Sequence, residues 1–202
     1  MDIMARNPPH STGLVLSVWL GILAFTSVFD ATAATRERPD DTLRQILVDA
    51  IDSSDSFSDR FDAEVWLTDM SSRLQRRVED PEERLKILKT VHYEARRAGL
   101  DPEMILALIE VESNYDRFAI SSAGAQGLMQ IMPFWLDEIG RPEDNLFHIA
   151  TNIRLGCTIL SYYRKREKGN LFRALARYNG SVGKSWYPNR VYRALSARWY
   201  RQ

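Results

Sequence analysis

Beyond residue 60, apolar residues recur every three or four positions, the spacing that gathers them on one face of a helix. Residues 61–78 carry Phe61, Val65, Trp66, Met70 and Leu74 at close to that interval. Asp80-Pro81-Glu82-Glu83 predicts a helix start. Proline fits the first turn, where no backbone N–H is needed, and acids favour the positive end of the helix dipole. That helix runs to about Ala98 and stops at Gly99, and Asp101-Pro102-Glu103 opens a third that reaches about Glu112. Further helices are predicted over 128–139, 149–168, 171–178 and 190–199, with a short one around 43–51. Residues 114–126 hold Ser, Gly, Ala and Asn without a clear period and read as a long loop. No strand pattern and no internal repeat stands out. The expected class is all-α, with at most a small β excursion in the long loop.

Within the third helix, a turn of roughly 100° per residue sets Ile105, Leu108 and Ile109 on one face, with Glu112 among them. Glu103 and Glu110 fall on the opposite side and read as a solvated stripe. An acid placed where a core residue belongs loses hydration, which disfavours its charged form and raises its pKa. A general acid working near neutral pH needs that shift. The same position also suits a structural carboxylate held by a buried Arg or by backbone donors, and position alone does not choose between the two.

The 202 residues carry 27 basic and 27 acidic side chains, with no run of Lys and Arg. A nucleic-acid partner, which calls for a clustered basic face, is therefore not expected. At the start of the chain, Arg6 and His10 precede an apolar stretch over 14–29 and then Asp30-Ala-Thr-Ala33-Ala34. These are the parts of a secretory leader, cleaved after Ala33 or Ala34. The apolar stretch is shorter than the ~20 residues of a spanning helix, although an uncleaved anchor is the alternative. Residues 34–60, polar and rich in Asp and Ser, read as a linker. Cys157 is the only cysteine, so no internal disulfide can form, and its helical context predicts a small buried apolar residue. His10, His92 and His148 are far apart and fit no ligand spacing. No metal and no cofactor is expected.

Four blocks carry a resemblance: Glu112-Ser113-x-Tyr115; Gly124-Ala-Gln-Gly127-Leu128-Met129-Gln130-Ile131-Met132-Pro133; Asn152-Ile153-x-x-Gly156-x-x-x-Leu160; and Ala174-Leu-Ala176-Arg-Tyr178-Asn179-Gly180. In this order and spacing they resemble the soluble lytic transglycosylase family. The resemblance implies a lysozyme-like fold at 100–202, with 61–99 as an N-terminal helical extension. It implies that Glu112 is the single catalytic acid/base and that Tyr178 and Asn179 stand opposite it, the tyrosine hydroxyl near the carboxylate. Ser113 follows the glutamate in the family motif, Ser121 orients the sugar or the reacting group, and Gln130 and Met132 face the glycan. Ile159 departs from the pattern, standing where the family often has an aromatic residue.

The implied reaction needs one carboxylate, whereas standard glycosidases use two. The 6-hydroxyl of the muramyl sugar attacks its own anomeric carbon, gaining from proximity what a second carboxylate would gain by activating water. The product is a 1,6-anhydromuramyl end. The implied partner is peptidoglycan, met after export to the periplasm or cell envelope by a monomer. Residues 35–99 are a candidate surface for an envelope-assembly partner. Two other readings stand beside this one. If Asp116, Asp137 or Glu138 held a water across the cleft, the protein would hydrolyse like a goose-type lysozyme. If activity were lost, it would be a glycan-binding scaffold. The C-terminal stretch 187–200, with Trp, Tyr and several Arg, either faces acidic groups of the polymer or closes the fold with a solvated basic face.

Overall fold

The computed structural model describes residues 56–200, all within one compact unit. The predicted leader at 1–33, the short helix at 43–51 and nearly all of the linker at 34–60 lie outside the described residues. The helices are α1 (Arg60–Leu74), α2 (Pro81–Arg97), α3 (Pro102–Ser113), α4 (Phe134–Ile139), α5 (Ile149–Arg166), α6 (Leu171–Tyr178) and α7 (Trp186–Ala194), closed by a π-helical turn, Leu195–Trp199. The second and third start as their sequences predict, and the first starts in the same way. Asp59, Asp80 and Asp101 each accept a hydrogen bond from a backbone N–H of the first turn, at 2.9, 3.0 and 3.0 Å. Each thereby satisfies a donor that the helix itself leaves unpaired.

Helix α3 is the centre of the fold. Met104 to Ile109 are buried without interruption, enclosed by α2, α7 and the π-helical turn. Helix α1 packs on α2 through Ala63, Trp66, Leu67, Met70 and Leu74, while Phe61 and Val65 point outward. Helix α5 lies against both α2 and α6. One continuous apolar core runs from Ala63 to Trp199 and includes the fully buried Cys157. Each large side chain sealed in it contributes about 1.5–3 kcal/mol of burial.

The expected solvated stripe on α3 does not exist. Trp66 of α1 donates its indole N–H to Glu103 at 2.8 Å. Glu110 accepts from Arg77 at 3.2 Å and from the Trp199 indole at 2.7 Å, and it pairs with Arg198. Helical periodicity separates polar from apolar positions. It does not reveal that a neighbouring helix will cover the polar side with matched donors.

The loop after α3 departs furthest from its predicted form. Helix was expected over 128–139, but only Phe134–Ile139 is helical. Gly127 and Gln130 adopt positive φ, +76° and +50°, and the backbone between them turns rather than coils. Antiparallel bridges pair Ile120 with Gln126 and Gln126 with Ile131, which is the small β excursion allowed by the sequence. The predicted helix at 190–199 begins earlier, at Trp186. Pro188 sits in its first turn, where it costs no hydrogen bond.

Candidate active site

Glu112 lies in the last turn of α3, facing α7. Its carboxylate accepts a hydrogen bond from the hydroxyl of Tyr187, in the first turn of α7. Burial pushes its pKa from the ordinary 4.5 up to about 7, against the opposing pull of the Tyr187 hydrogen bond and of the Arg190 charge. Tyr187 is almost wholly enclosed, and burial next to Glu112 holds its phenol well above its usual range. The result is a carboxyl group that still carries its proton in a good fraction of molecules at neutral pH.

One wall is the loop that leaves α3. Asn114 and Tyr115 both take positive φ, +50° and +70°, so the chain turns sharply just past Glu112. The Tyr115 side chain is buried, and its hydroxyl donates to the Leu106 carbonyl at 2.8 Å. That anchorage helps hold two non-glycine residues in a sparsely populated backbone region. The Ser113 hydroxyl lies 2.8 Å from the Leu128 carbonyl oxygen, tying the loop back to the helix end. The Ser121 hydroxyl accepts from the Ala125 N–H at 3.0 Å and shapes the turn before Gly127. The Gln130 amide donates to the carbonyls of Gly127 at 3.0 Å and Ala119 at 3.2 Å. Met132 follows the loop half-buried, and Asn179 is exposed just beyond the end of α6.

Helix α5 fastens this wall from behind. Asn152 is buried; its amide oxygen accepts from the Met129 N–H at 2.7 Å, and its NH₂ donates to Leu146 at 2.7 Å and Gln126 at 2.9 Å. Gly127 must be glycine for the loop to come so close: an added Cβ would fall 2.4 Å from the Leu146 carbonyl oxygen. Gly156 plays the matching part on α5, where a Cβ would meet the Met129 sulfur at 2.4 Å.

The hydroxyl of Tyr178 donates to the Met129 carbonyl at 2.7 Å, whereas the hydroxyl bonded to Glu112 belongs to Tyr187. Tyr178 is close enough for the Glu112 charge to help raise its pKa, after burial. Tyr187 was only one of several aromatics in the C-terminal stretch of the sequence, and no local signal distinguishes it. Asn152 stood inside a recognisable block, but its threefold role becomes visible only with the loop folded onto it. The candidates for a second acid are all exposed. Asp116 caps the Phe118 N–H at 2.9 Å, and Asp137 and Glu138 lie on the outer side of α4.

Fold and site together define an all-α domain with one half-buried glutamate at a helix end, bonded by a tyrosine and walled by a fastened loop. The chain belongs to the Transglycosylase SLT domain family, whose profile matches residues 89–198. It is 36% identical over 84 residues to "Membrane-bound lytic murein transglycosylase C" of Mannheimia succiniciproducens, covering 37% of this chain and 24% of that protein. Its identity to the protein of the same name in Yersinia enterocolitica is 30% over 114 residues, covering 48% and 32%. A solved lytic transglycosylase Slt of Pseudomonas aeruginosa shares 26% identity over 74% of this chain and 26% of its own, with a TM-score of 0.43. The chain thus spans between about a quarter and a third of the length of these curated relatives.

Proposed function

We propose that this protein is a lytic transglycosylase that cleaves the β-1,4 bond between the N-acetylmuramyl and N-acetylglucosaminyl sugars of peptidoglycan in the bacterial envelope. The observation that carries the reading is Glu112: a carboxyl at the end of α3, its pKa raised to about 7, bonded by Tyr187, in a chain of the SLT family. Export rests on the leader-like sequence at 1–33. Among the described residues, no helix is long and apolar enough to cross a membrane.

In the proposed mechanism, protonated Glu112 gives its proton to the bridging oxygen as the bond to the muramyl anomeric carbon breaks. The 6-hydroxyl of the same sugar then attacks that carbon and passes its proton to the Glu112 carboxylate. One group serves as acid and then as base, and no water is consumed. Tyr187 holds the carboxyl in place and stabilises its charged form between the two transfers. Gln130, Met132 and Asn179 are assigned to the glycan-facing wall, while Ser113 and Ser121 keep that wall in shape. Tyr178, through Met129, sets the wall's distance from α6.

Clearance of purified peptidoglycan tests the assignment. Removing a general acid/base costs about 10²–10⁴-fold in rate, and Glu112→Gln is expected to fall in that range. Tyr187→Phe removes a hydrogen bond that favours the charged carboxylate. Its rate should drop about tenfold, and the high-pH limb of its profile should move to higher pH. A Glu112→Gln variant of undiminished rate would sink the proposal.

A further inference from the structure

On the side of α3 turned away from Tyr187, an open groove of about 770 Å³ runs between the end of α1 and the C-terminal π-helical turn. Its polar lining consists of donor-rich side chains: Arg73, Arg76, Arg77, Arg198, Ser72 and Asn114. No carboxylate lines it. Two carboxylates reach the arginines from outside the groove: Asp69 pairs with Arg73 at 2.7 Å, and Glu110 is shared between Arg77 and Arg198. Four guanidinium groups therefore stand against two acids. Arg76 is exposed and pairs with no acid among the described residues.

The groove is also held in shape. Arg73 donates to the backbone carbonyls of Arg198 at 2.8 Å and Tyr200 at 3.1 Å, joining the two walls. Arg77 donates to the Asn114 side-chain oxygen at 3.0 Å, and Asn114 is the left-handed residue that ends α3 two positions after Glu112. Groove and acid thus share one end of the same helix, on different sides of it.

We propose that this groove binds carboxylate groups on the peptide substituents of the cell-wall polymer, gripping it away from the bond that is cut. The inference rests on the reading of peptidoglycan as substrate given above. Planar guanidinium forks match carboxylates in geometry as well as charge. Exposed charge pairs are weak singly, but the groove and the cleft at Glu112 would engage one polymer at two points, which turns a weak contact into retention. A membrane surface fits the groove less well. Membrane-binding faces combine basic groups with protruding aromatic or aliphatic side chains, and the apolar lining here is Ala197 alone.

Retention on insoluble peptidoglycan, measured with Glu112→Gln as the parent so that the polymer persists, is the test. Adding Arg76→Glu should weaken retention about tenfold at low salt, with Arg76→Ala intermediate and the difference lost at high salt. All three proteins should bind equally to polymer whose peptide carboxylates have been converted to neutral amides with carbodiimide and ammonia. Melting temperatures matching the parent exclude misfolding. Equal retention of parent and variants on intact polymer would overturn the inference. So would a defect that persists on the amidated polymer, or one seen only with vesicles of phosphatidylglycerol and phosphatidylcholine. Failure of the catalytic reading is registered separately, as absence of cleavage by the unaltered protein.

Discussion

Three glutamates on one helix meet three environments. Glu110 is held by two guanidiniums and an indole, whereas Glu103 and Glu112 are both pushed to about 7, chiefly by burial. A raised pKa alone therefore does not separate Glu112 from Glu103. The neighbours do, because Glu112 faces Tyr187 and the fastened loop, while Glu103 meets Trp66 near the start of α3. The shift has a thermodynamic sign. A carboxyl that holds its proton more tightly when folded adds stability that is full below its unfolded pKa, near 4.5, and is lost as pH rises to about 7. Glu112→Gln escapes that loss. The gap in melting temperature between variant and parent should accordingly be wider in favour of the variant at pH 8 than at pH 4. A gap independent of pH would mean that burial does not strain the carboxylate. Spacing set Glu112 at an apolar helix position, but it was the surrounding blocks, and not the position, that marked it as the candidate acid. Its tyrosine partner lies 75 residues along the chain and was not legible, since nothing local to Tyr187 encodes that meeting.

At the scale of elements, the helices were readable wherever a cap and a period agreed, as at Asp80-Pro81 and Asp101-Pro102. The loop between α3 and α4 was not, because its form comes from α5. Its apolar residues, Leu128, Met129 and Ile131, mimic helical spacing, yet they are buried through turns that Gly127 and Gln130 permit. Asn152 stands in for the hydrogen bonds that a regular element would supply. Asn152→Ala would take their partner from the Met129 N–H and the Leu146 carbonyl, while the Gln126 carbonyl keeps the Ile131 N–H. It should cost about 2–4 kcal/mol in denaturant unfolding, since each orphaned group costs about 1–3. Amide exchange at 126–130 should quicken at the same time. Gly127→Ala should destabilise comparably, as its Cβ meets backbone that has no free end to move. A stable Asn152→Ala variant with unchanged exchange would show that the loop holds itself.

Three parts of the described residues meet at Glu110: the chain after α1, the last turn of α3 and the C-terminal turn, through Arg77, Arg198 and Trp199. The family match begins at residue 89, inside α2, but the core already includes Trp66, Leu67, Met70 and Leu74 of α1. Glu110→Ala leaves two partly exposed arginines and a buried indole without their acceptor. It should cost about 2 kcal/mol, read as a lower unfolding midpoint by both heat and denaturant; an unchanged midpoint would mean that apolar packing alone secures the C-terminal turn. The arrangement also bears on chemistry, because the turn follows directly on α7, which carries Tyr187 and Arg190 to Glu112. With one acid held there and Asp116, Asp137 and Glu138 exposed, the proposed reaction needs the sugar to supply its own nucleophile. Mass spectrometry of the ends released from purified peptidoglycan tests this most directly. Anhydromuramyl ends, one water lighter than reducing ends, are expected from the unaltered protein and none from Glu112→Gln. Reducing muramyl ends would contradict it, since water would then be the acceptor and a second group would have to activate it.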